Sequence, residues 1–444
     1  MIGNFINRQK SLISNIKNGK PSEKMKVIGV AGTRGKTSLS HILYDLLKAS
    51  GVNVGVISSI GYSDDSETFN DKVNANNIDS GQLHSVLNRM RANGIDFAIV
   101  ETTSKNLSDS RYEGVIFDSG VLLNIFHDNK MHYPSWEDYA QTKLDFINKI
   151  KDGGYLLLNA YDQRGLDWVY SNEGKIVNNV YADILNPQDL QILRHNLKDG
   201  LRFKFGNNTH QTNLLSRNNL LNLVLASRLA SNYVQERLLF SNFANVNNPF
   251  GRMELVSSEN VNIVIDSANT PELMEESLRE LNAIKHPDSA IITVFGCPGG
   301  KDTYKRNMSI PALKYSSMVV LCANDPKFEF VSDINTDIFL RAEEMGGIMV
   351  ERFQSTDELK MINKENLKLR INRVILNGDT PFIAFDADNY SSRLDAIRFA
   401  IGSAKDGDIV YIAGKGHETS LTFKGIEYEW SDHEAVSQVL DEIY

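Results

Sequence analysis

The chain has 444 residues, 41% hydrophobic and 23% charged, which is ordinary for a soluble globular protein of two or three domains. Its formal charge of −9 supplies no positive field for a phosphate backbone, so composition excludes a general nucleic-acid binder while leaving room for a local anion pocket. Two cysteines, Cys297 and Cys322, are too few for a zinc framework or a disulfide scaffold and suit a reducing compartment.

Phe5, Ile6, Leu12, Ile13 and Ile16 recur at helical spacing, so residues 1–25 read as a short leading helix and linker. Phe5, Ile6, Leu12 and Ile13 are expected to pack on the domain that follows. The segment lacks the continuous apolar run of a secretory signal, and no stretch reaches the roughly 18 apolar residues needed to span a bilayer. The expected location is cytoplasmic, with no nucleic-acid or membrane partner. Short apolar runs then alternate with amphipathic stretches, the pattern of a mainly parallel sheet covered by helices. The first strand is expected at Lys26–Val30; after a glycine turn, Leu39, Ile42, Leu43, Leu46 and Leu47 mark a helix that Gly51 ends. Further strands are expected at Val54–Ile57, Phe97–Glu101, Val115–Asn124 and Tyr155–Asn159, and a helix near Asn218–Ser231. The Asn-rich stretch 242–248 reads as a boundary, giving domains 26–243 and 244–444. Beyond it, strands are expected at Asn262–Asp266, Ile291–Phe295, Met318–Cys322 and Ile409–Ala413.

The segment Gly29 to Ser38, GVAGTRGKTS, lies between an expected strand and an expected helix. Glycines there let the backbone curl so that several N–H groups point at one phosphate chain. Lys36 would bridge the β- and γ-phosphates of a nucleotide, and the Thr37 hydroxyl would join a Mg²⁺ shell. The strict spacing is missed by one place, with Val30 where the first glycine would stand and Gly29 before it. Nucleotide binding follows; its use does not, because a GTPase-like switch or an ATP-driven regulator would begin the same way.

The run Gly32-Thr33-Arg34-Gly35-Lys36-Thr37-Ser38 resembles the loop of the Mur ligase family, and the resemblance continues in order over nearly the whole chain from residue 26. It is closest to the MurE-type muramyl-peptide synthetases. Glu101-Thr102-Thr103-Ser104, Asn124 with Asp128, Tyr139 to Lys143, and Asn219 with Asn222 resemble successive family segments. So do Gly251-Arg252-Met253-Glu254, Asp266 to Pro271, and Gly296 to Asp302 with Lys305-Arg306. Gly414-Lys415-Gly416-His417-Glu418 is identical to a family motif. The resemblance implies a P-loop ATPase domain with a mainly parallel sheet and a C-terminal Rossmann-like α/β domain that closes over the nucleotide. It implies an ATP-dependent, ADP-forming ligase that activates a carboxylate acceptor as an acyl phosphate and joins it to an amino acid or amine.

The resemblance also implies roles. Glu101 and Thr37 are candidate Mg²⁺ groups, and Lys143 matches a lysine that is carbamylated in the family, which makes it an anionic metal ligand. Lys36, Lys143, Glu101 and His417 are the expected catalytic residues. Arg252 and Asp266 are candidates for γ-phosphate and ribose contacts, and Asn219, Asn222 and Asn269 for the adenine side. Asn324, Asp325, Lys327, Gly414 and Glu418 are the expected substrate contacts; Lys327 could anchor a carboxylate, but only as a point charge. Two departures stand out: Asn129 and Asn269 replace family histidines, and neither His127 nor His132 is in register to substitute. They keep open a catalytically weak nucleotide-binding regulator, and trimmed relatives such as folylpolyglutamate synthases keep open a glutamate ligase. With the phosphate loop near residue 29, the family's uridine-diphosphate-binding domain is expected to be missing. The acceptor is then expected not to need a uridine handle, and the open side could take a larger carboxylate, a partner protein or a second subunit.

Overall fold

All nine apolar runs expected as strands carry strands. The computed structural model describes residues 2–64, 72–126, 133–185, 189–257, 260–300 and 302–443. It divides into two compact units, one up to Pro249 apart from Asn196–Lys198, the other from Phe250 onward. The boundary expected after residue 243 falls inside the first unit, because Phe243 and Val246 are buried in its core. Among the described residues no helix is long and apolar enough to cross a membrane.

In the first unit α1 (Ile2–Lys17) precedes β1 (Lys26–Ala31), α2 (Lys36–Ala49), β2 (Val54–Ile57), β3 (Tyr62–Ser63), α3 (Ser80–Ala92) and β4 (Phe97–Glu101). There follow α4 (Ser104–Ser108), β5 (Phe117–Leu122), α5 (Trp136–Ile147), β6 (Ile150–Asn159), α6 (Gln163–Ser171) and β7 (Tyr181–Leu185). The unit ends with β8 (Leu190–Asn196), β9 (Gly200–Phe205), β10 (Asn208–Thr212), α7 (Arg217–Ala230) and α8 (Glu236–Ser241). The main sheet runs β3-β2-β4-β1-β5-β6-β7 and is parallel except at β3; β8, β9 and β10 form a separate small sheet that no apolar run announced. Strand alternation sends Val27 and Ile28 to opposite faces, and each face has its own apolar core. All five expected apolar positions of α2 are fully buried. Because β4 and β5 flank β1 in parallel, the loops leaving all three emerge at one edge, where open α/β sheets hold ligands.

Gly29 and Gly120 sit side by side in β1 and β5, and a Cβ on either would strike the ring of Phe146. Gly29 is therefore a packing glycine within the strand, not the first glycine of the phosphate loop. The missing side chains let α5 lie flush on the sheet, which fixes the height of Lys143 one turn earlier.

The expectation for α1 is reversed. Phe5, Ile6, Ile13 and Ile16 are 64%, 46%, 50% and 66% exposed, and only Leu12 of the apolar set is half-buried. The helix docks by its polar side: buried Ser11 donates to the Glu113 carbonyl (2.7 Å), and buried Asn15 packs against Gly114. The carbonyls of Arg111 and Glu113 need polar partners, and the Ser11 hydroxyl supplies one within reach of both (3.1 and 2.7 Å).

The second unit comprises β11 (Glu254–Ser257), β12 (Asn262–Asp266), α9 (Pro271–Ile284), β13 (Ile291–Phe295), α10 (Ser309–Tyr315), β14 (Met318–Leu321) and α11 (Val331–Glu343). It continues with β15 (Gly347–Phe353), α12 (Thr356–Met361), α13 (Lys364–Leu376), β16 (Thr380–Phe385), α14 (Ser391–Ser403), β17 (Ile409–Ala413), β18 (Ser420–Phe423), β19 (Ile426–Glu429) and α15 (Asp432–Ile443). Its sheet runs β11-β12-β17-β13-β14-β16-β15, with only β11 antiparallel, around a third core. Arg393 and Asp432, both without exposed side-chain surface, pair through two contacts of 2.7 and 2.8 Å, and Arg393 also reaches the Ala413 carbonyl at 3.0 Å. The pair fixes the end of β17, where the loop 414–418 begins. Removing one partner of such a buried pair costs about 3–5 kcal/mol.

Candidate active site

The first cluster is built on the loop after β1. Gly35, at φ 81°, caps α2 in a left-handed conformation that favours glycine. Asn124 shapes the loop from the end of β5: its Oδ1 accepts the N–H groups of Thr33 (3.0 Å) and Arg34 (2.9 Å), and its Nδ2 donates to the Arg34 carbonyl (3.1 Å). The Lys36 ammonium folds back to the Thr33 carbonyl at 2.9 Å, across the mouth of the loop. The first-turn N–H groups of α2 have no carbonyl within the helix to meet, which makes its start an anion site.

Thr37 and Glu101 converge. The Thr37 hydroxyl donates to Glu101 Oε1 (3.2 Å), and Ser59 donates its N–H to Oε2 and its hydroxyl to Oε1, both at 2.8 Å. Glu101 is 2% exposed at the end of β4. Lys143 is fully buried; its Nζ donates to the Gly32 carbonyl (3.2 Å) and to Ser104 Oγ (2.7 Å), and lies 4.7 Å from the Tyr139 ring centroid. The lysine thus braces the loop from below. Asn219 and Asn222 are buried on α7, and Asn222 stands beside Gly35. A hydroxyl and a carboxylate in contact at an anion-binding helix start are hard oxygen donors of the kind Mg²⁺ takes. Mg²⁺ usually needs only one or two carboxylates because it keeps several waters, so these residues fit it.

The second cluster belongs to the other unit. Lys415, 1% exposed, pairs with Asp325 (2.8 Å) and Glu418 (2.6 Å). Asp325 also accepts the Thr422 N–H (2.8 Å), and Asn324 is buried, donating to the Gly296 carbonyl (3.3 Å) beneath Gly414. Lys327 is exposed at a left-handed backbone position (φ 57°). The loops carrying Arg252 and His417 touch backbone to backbone: a Cβ on Gly251 would strike the His417 nitrogen, and one on Gly416 would lie 2.6 Å from Ser267 Cβ. Asn269 is half-buried in the loop before α9.

Asp266, the candidate ribose contact, is engaged by four groups of its own unit. Its Oδ1 accepts the N–H groups of Met253 (3.2 Å) and Ser267 (2.8 Å), and its Oδ2 accepts the hydroxyls of Ser277 (2.6 Å) and Tyr411 (2.9 Å). Burial, and then the carboxylate itself, raise the Tyr411 phenol well above its ordinary value, which keeps it a donor. Four internal donors fill the carboxylate, which holds the Arg252 loop on β12 and leaves little capacity for ribose hydroxyls.

Ser59, Ser104 and Lys415 carry contacts that sequence reading assigned to no role. Ser104 and Lys415 stand inside quoted motifs, which was a usable signal; Ser59 stands in none. Both thiols are inert: burial pushes Cys297 up to about 12 and Cys322 up to about 11. His127, Asp128, Asn129, Lys301 and His132 lie outside the described residues.

Residues 30–230 match the family described as the Mur ligase middle domain, and residues 251–416 the one described as the Mur ligase, glutamate ligase domain. A UDP-N-acetylmuramoyl-L-alanyl-D-glutamate–2,6-diaminopimelate ligase of Parabacteroides distasonis is 26% identical over 95% of this chain and 79% of its own length. A UDP-N-acetylmuramyl-tripeptide synthetase of Borreliella afzelii is 28% identical over 98% and 81%. A solved structure of a UDP-N-acetylmuramoyl-L-alanyl-D-glutamate–2,6-diaminopimelate ligase superposes with a TM-score of 0.62 at 23% identity, covering 94% of this chain and 79% of that one.

Proposed function

Because the chain belongs to the Mur ligase family, we propose that it is an ATP-dependent amide ligase that forms ADP and phosphate. The observation that carries this reading is the convergence of Lys36, the Thr37–Glu101 contact and buried Lys143 on one phosphate loop. The relatives' names supply the substrate class, a carboxylate-ended muramyl-peptide-like acceptor and an amino acid.

In this mechanism the acceptor carboxylate attacks the γ-phosphorus and ADP departs, leaving an acyl phosphate. The incoming ammonium gives up a proton to become the free amine, whose nitrogen attacks the acyl carbon; phosphate leaves and the nitrogen loses a second proton to give the amide. Lys36 neutralises the β- and γ-phosphate oxygens, and the start of α2 donates to them. Thr37 and Glu101 would hold Mg²⁺, with Lys143 as its carbamate; the ion would offset phosphate charge. In the second unit Glu418, steadied by Lys415, offers a carboxylate oxygen to the incoming ammonium, and Arg252 is the candidate γ-phosphate cation.

The expected products in a screen of amino acids and carboxylate acceptors are ADP, phosphate and an amide, in equal amounts by mass spectrometry and phosphate assay. Stoichiometric pyrophosphate would sink the acyl-phosphate route. Nucleotide binding with no amide from any pair would favour the regulator.

A further inference from the structure

The leading helix α1 faces the wrong way for a helix that only completes a core. Its polar side meets the protein through Ser11 and Asn15, while Phe5, Ile6, Ile13 and Ile16 point outward. On a helical wheel these four, with Leu12, fall on one arc of roughly 100–120°. The charges beside them are of one sign. Arg8, Lys10 and Lys17 are the only ionisable side chains of α1, and residues 1–26 hold six basic residues against Glu23 alone. Of the six, Arg8, Lys20 and Lys26 pair with Glu113 (3.7 Å), Glu23 (3.0 Å) and Asp118 (3.1 Å), while Lys10, Lys17 and Lys24 are the basic groups nearest the ridge that remain to meet an anionic surface. That segment carries +5 in a chain of −9, so the remaining residues carry −9 − 5 = −14.

We infer that α1 is an in-plane attachment helix for an anionic lipid surface. A ridge of Ile and Phe on a single helix needs no matching groove in a bilayer. It sinks to the boundary between headgroups and acyl chains while lysine stems reach up to the headgroups. Lys10, Lys17 and Lys24 add long-range attraction to acidic lipids and turn α1 toward them, away from neutral ones. Pairing with a second copy through the same ridge would set Arg8, Lys10 and Lys17 against their own likenesses. The helix is too short to span a membrane, so it lies on the surface and leaves both units in water. The inference is independent of the ligase reading, since it concerns residues with no part in the phosphate loop.

The test is sedimentation of the full chain with vesicles of phosphatidylcholine alone or of an equimolar mixture with phosphatidylglycerol. Binding to the mixed vesicles, weakened by salt and absent from the neutral ones, is expected. Phe5→Asn with Ile16→Asn should weaken it at least about tenfold, since each buried apolar side chain is worth roughly that factor. Lys10→Glu with Lys17→Glu should weaken it as well and flatten its dependence on salt. All four side chains are exposed, so melting temperature and ADP release should not change. Absence of binding to mixed vesicles, or binding indifferent to both double variants, overturns the proposal. So does a dimer in sedimentation equilibrium that the Phe5/Ile16 variant dissolves, or an acidic protein that outcompetes the vesicles for the same face.

Discussion

Lys36→Ala is expected to lower ADP release by about 10²–10³-fold or more, the scale lost when one preorganised charge-stabilising donor is removed from an active site. The ammonium sits at the start of α2, 2.9 Å from the Thr33 carbonyl, while Asn124 holds the backbone of Thr33 and Arg34. Asn124 and Gly35 still shape the backbone in the variant, so the loss reports charge and not loop collapse. A thermal melt matching the unmodified chain, with turnover gone, is the expected pair of results. Turnover within a few-fold of the original would remove the phosphate loop from the mechanism.

Lys143→Ala is expected to cost about 10–100-fold in turnover or more, the scale for residues that support a metal site. It should also cost stability, because the Gly32 carbonyl and Ser104 lose a buried donor, at about 1–3 kcal/mol for an unmet polar group. Two chemistries separate here. If Lys143 works as a carbamate, intact mass at saturating bicarbonate should carry the added CO₂, and a short carboxylate should partly rescue the alanine variant. If it works only as the ammonium that braces Gly32, neither will happen. An active, Mg²⁺-dependent protein whose Lys143 keeps a free amine would end the carbamate proposal.

Strands such as Phe97–Glu101 and Ile409–Ala413 were legible because a strand buried on both faces is a continuous apolar run. Of those that escaped, β8 mixes polar with apolar residues, β10 is polar, and both are half-exposed or exposed over most of their length, whereas β16 does carry a buried apolar run and was simply not singled out. The spacing of α1 revealed an apolar face, but periodicity does not say what covers that face, and the expectation was reversed. In the candidate site, motif order pointed to Lys36, Glu101 and Lys143, which lie on or against the loop after β1. That Ser59 grips Glu101, or that Asp266 is filled by Met253, Ser267, Ser277 and Tyr411, depends on contacts between distant segments that no local pattern encodes.

The three cores are not shared: two line the faces of the first unit's sheet, and the third lies wholly in the second unit. Heating such a chain need not give one all-or-none transition. A nucleotide that grips only the loop after β1 raises the unfolding free energy of the unit that holds the loop, by about 2.7 kcal/mol at a hundredfold excess over its dissociation constant. Calorimetry with and without ADP should therefore show one heat-absorption peak move upward and another stay in place. That separation would assign the nucleotide to its unit without any measurement of catalysis.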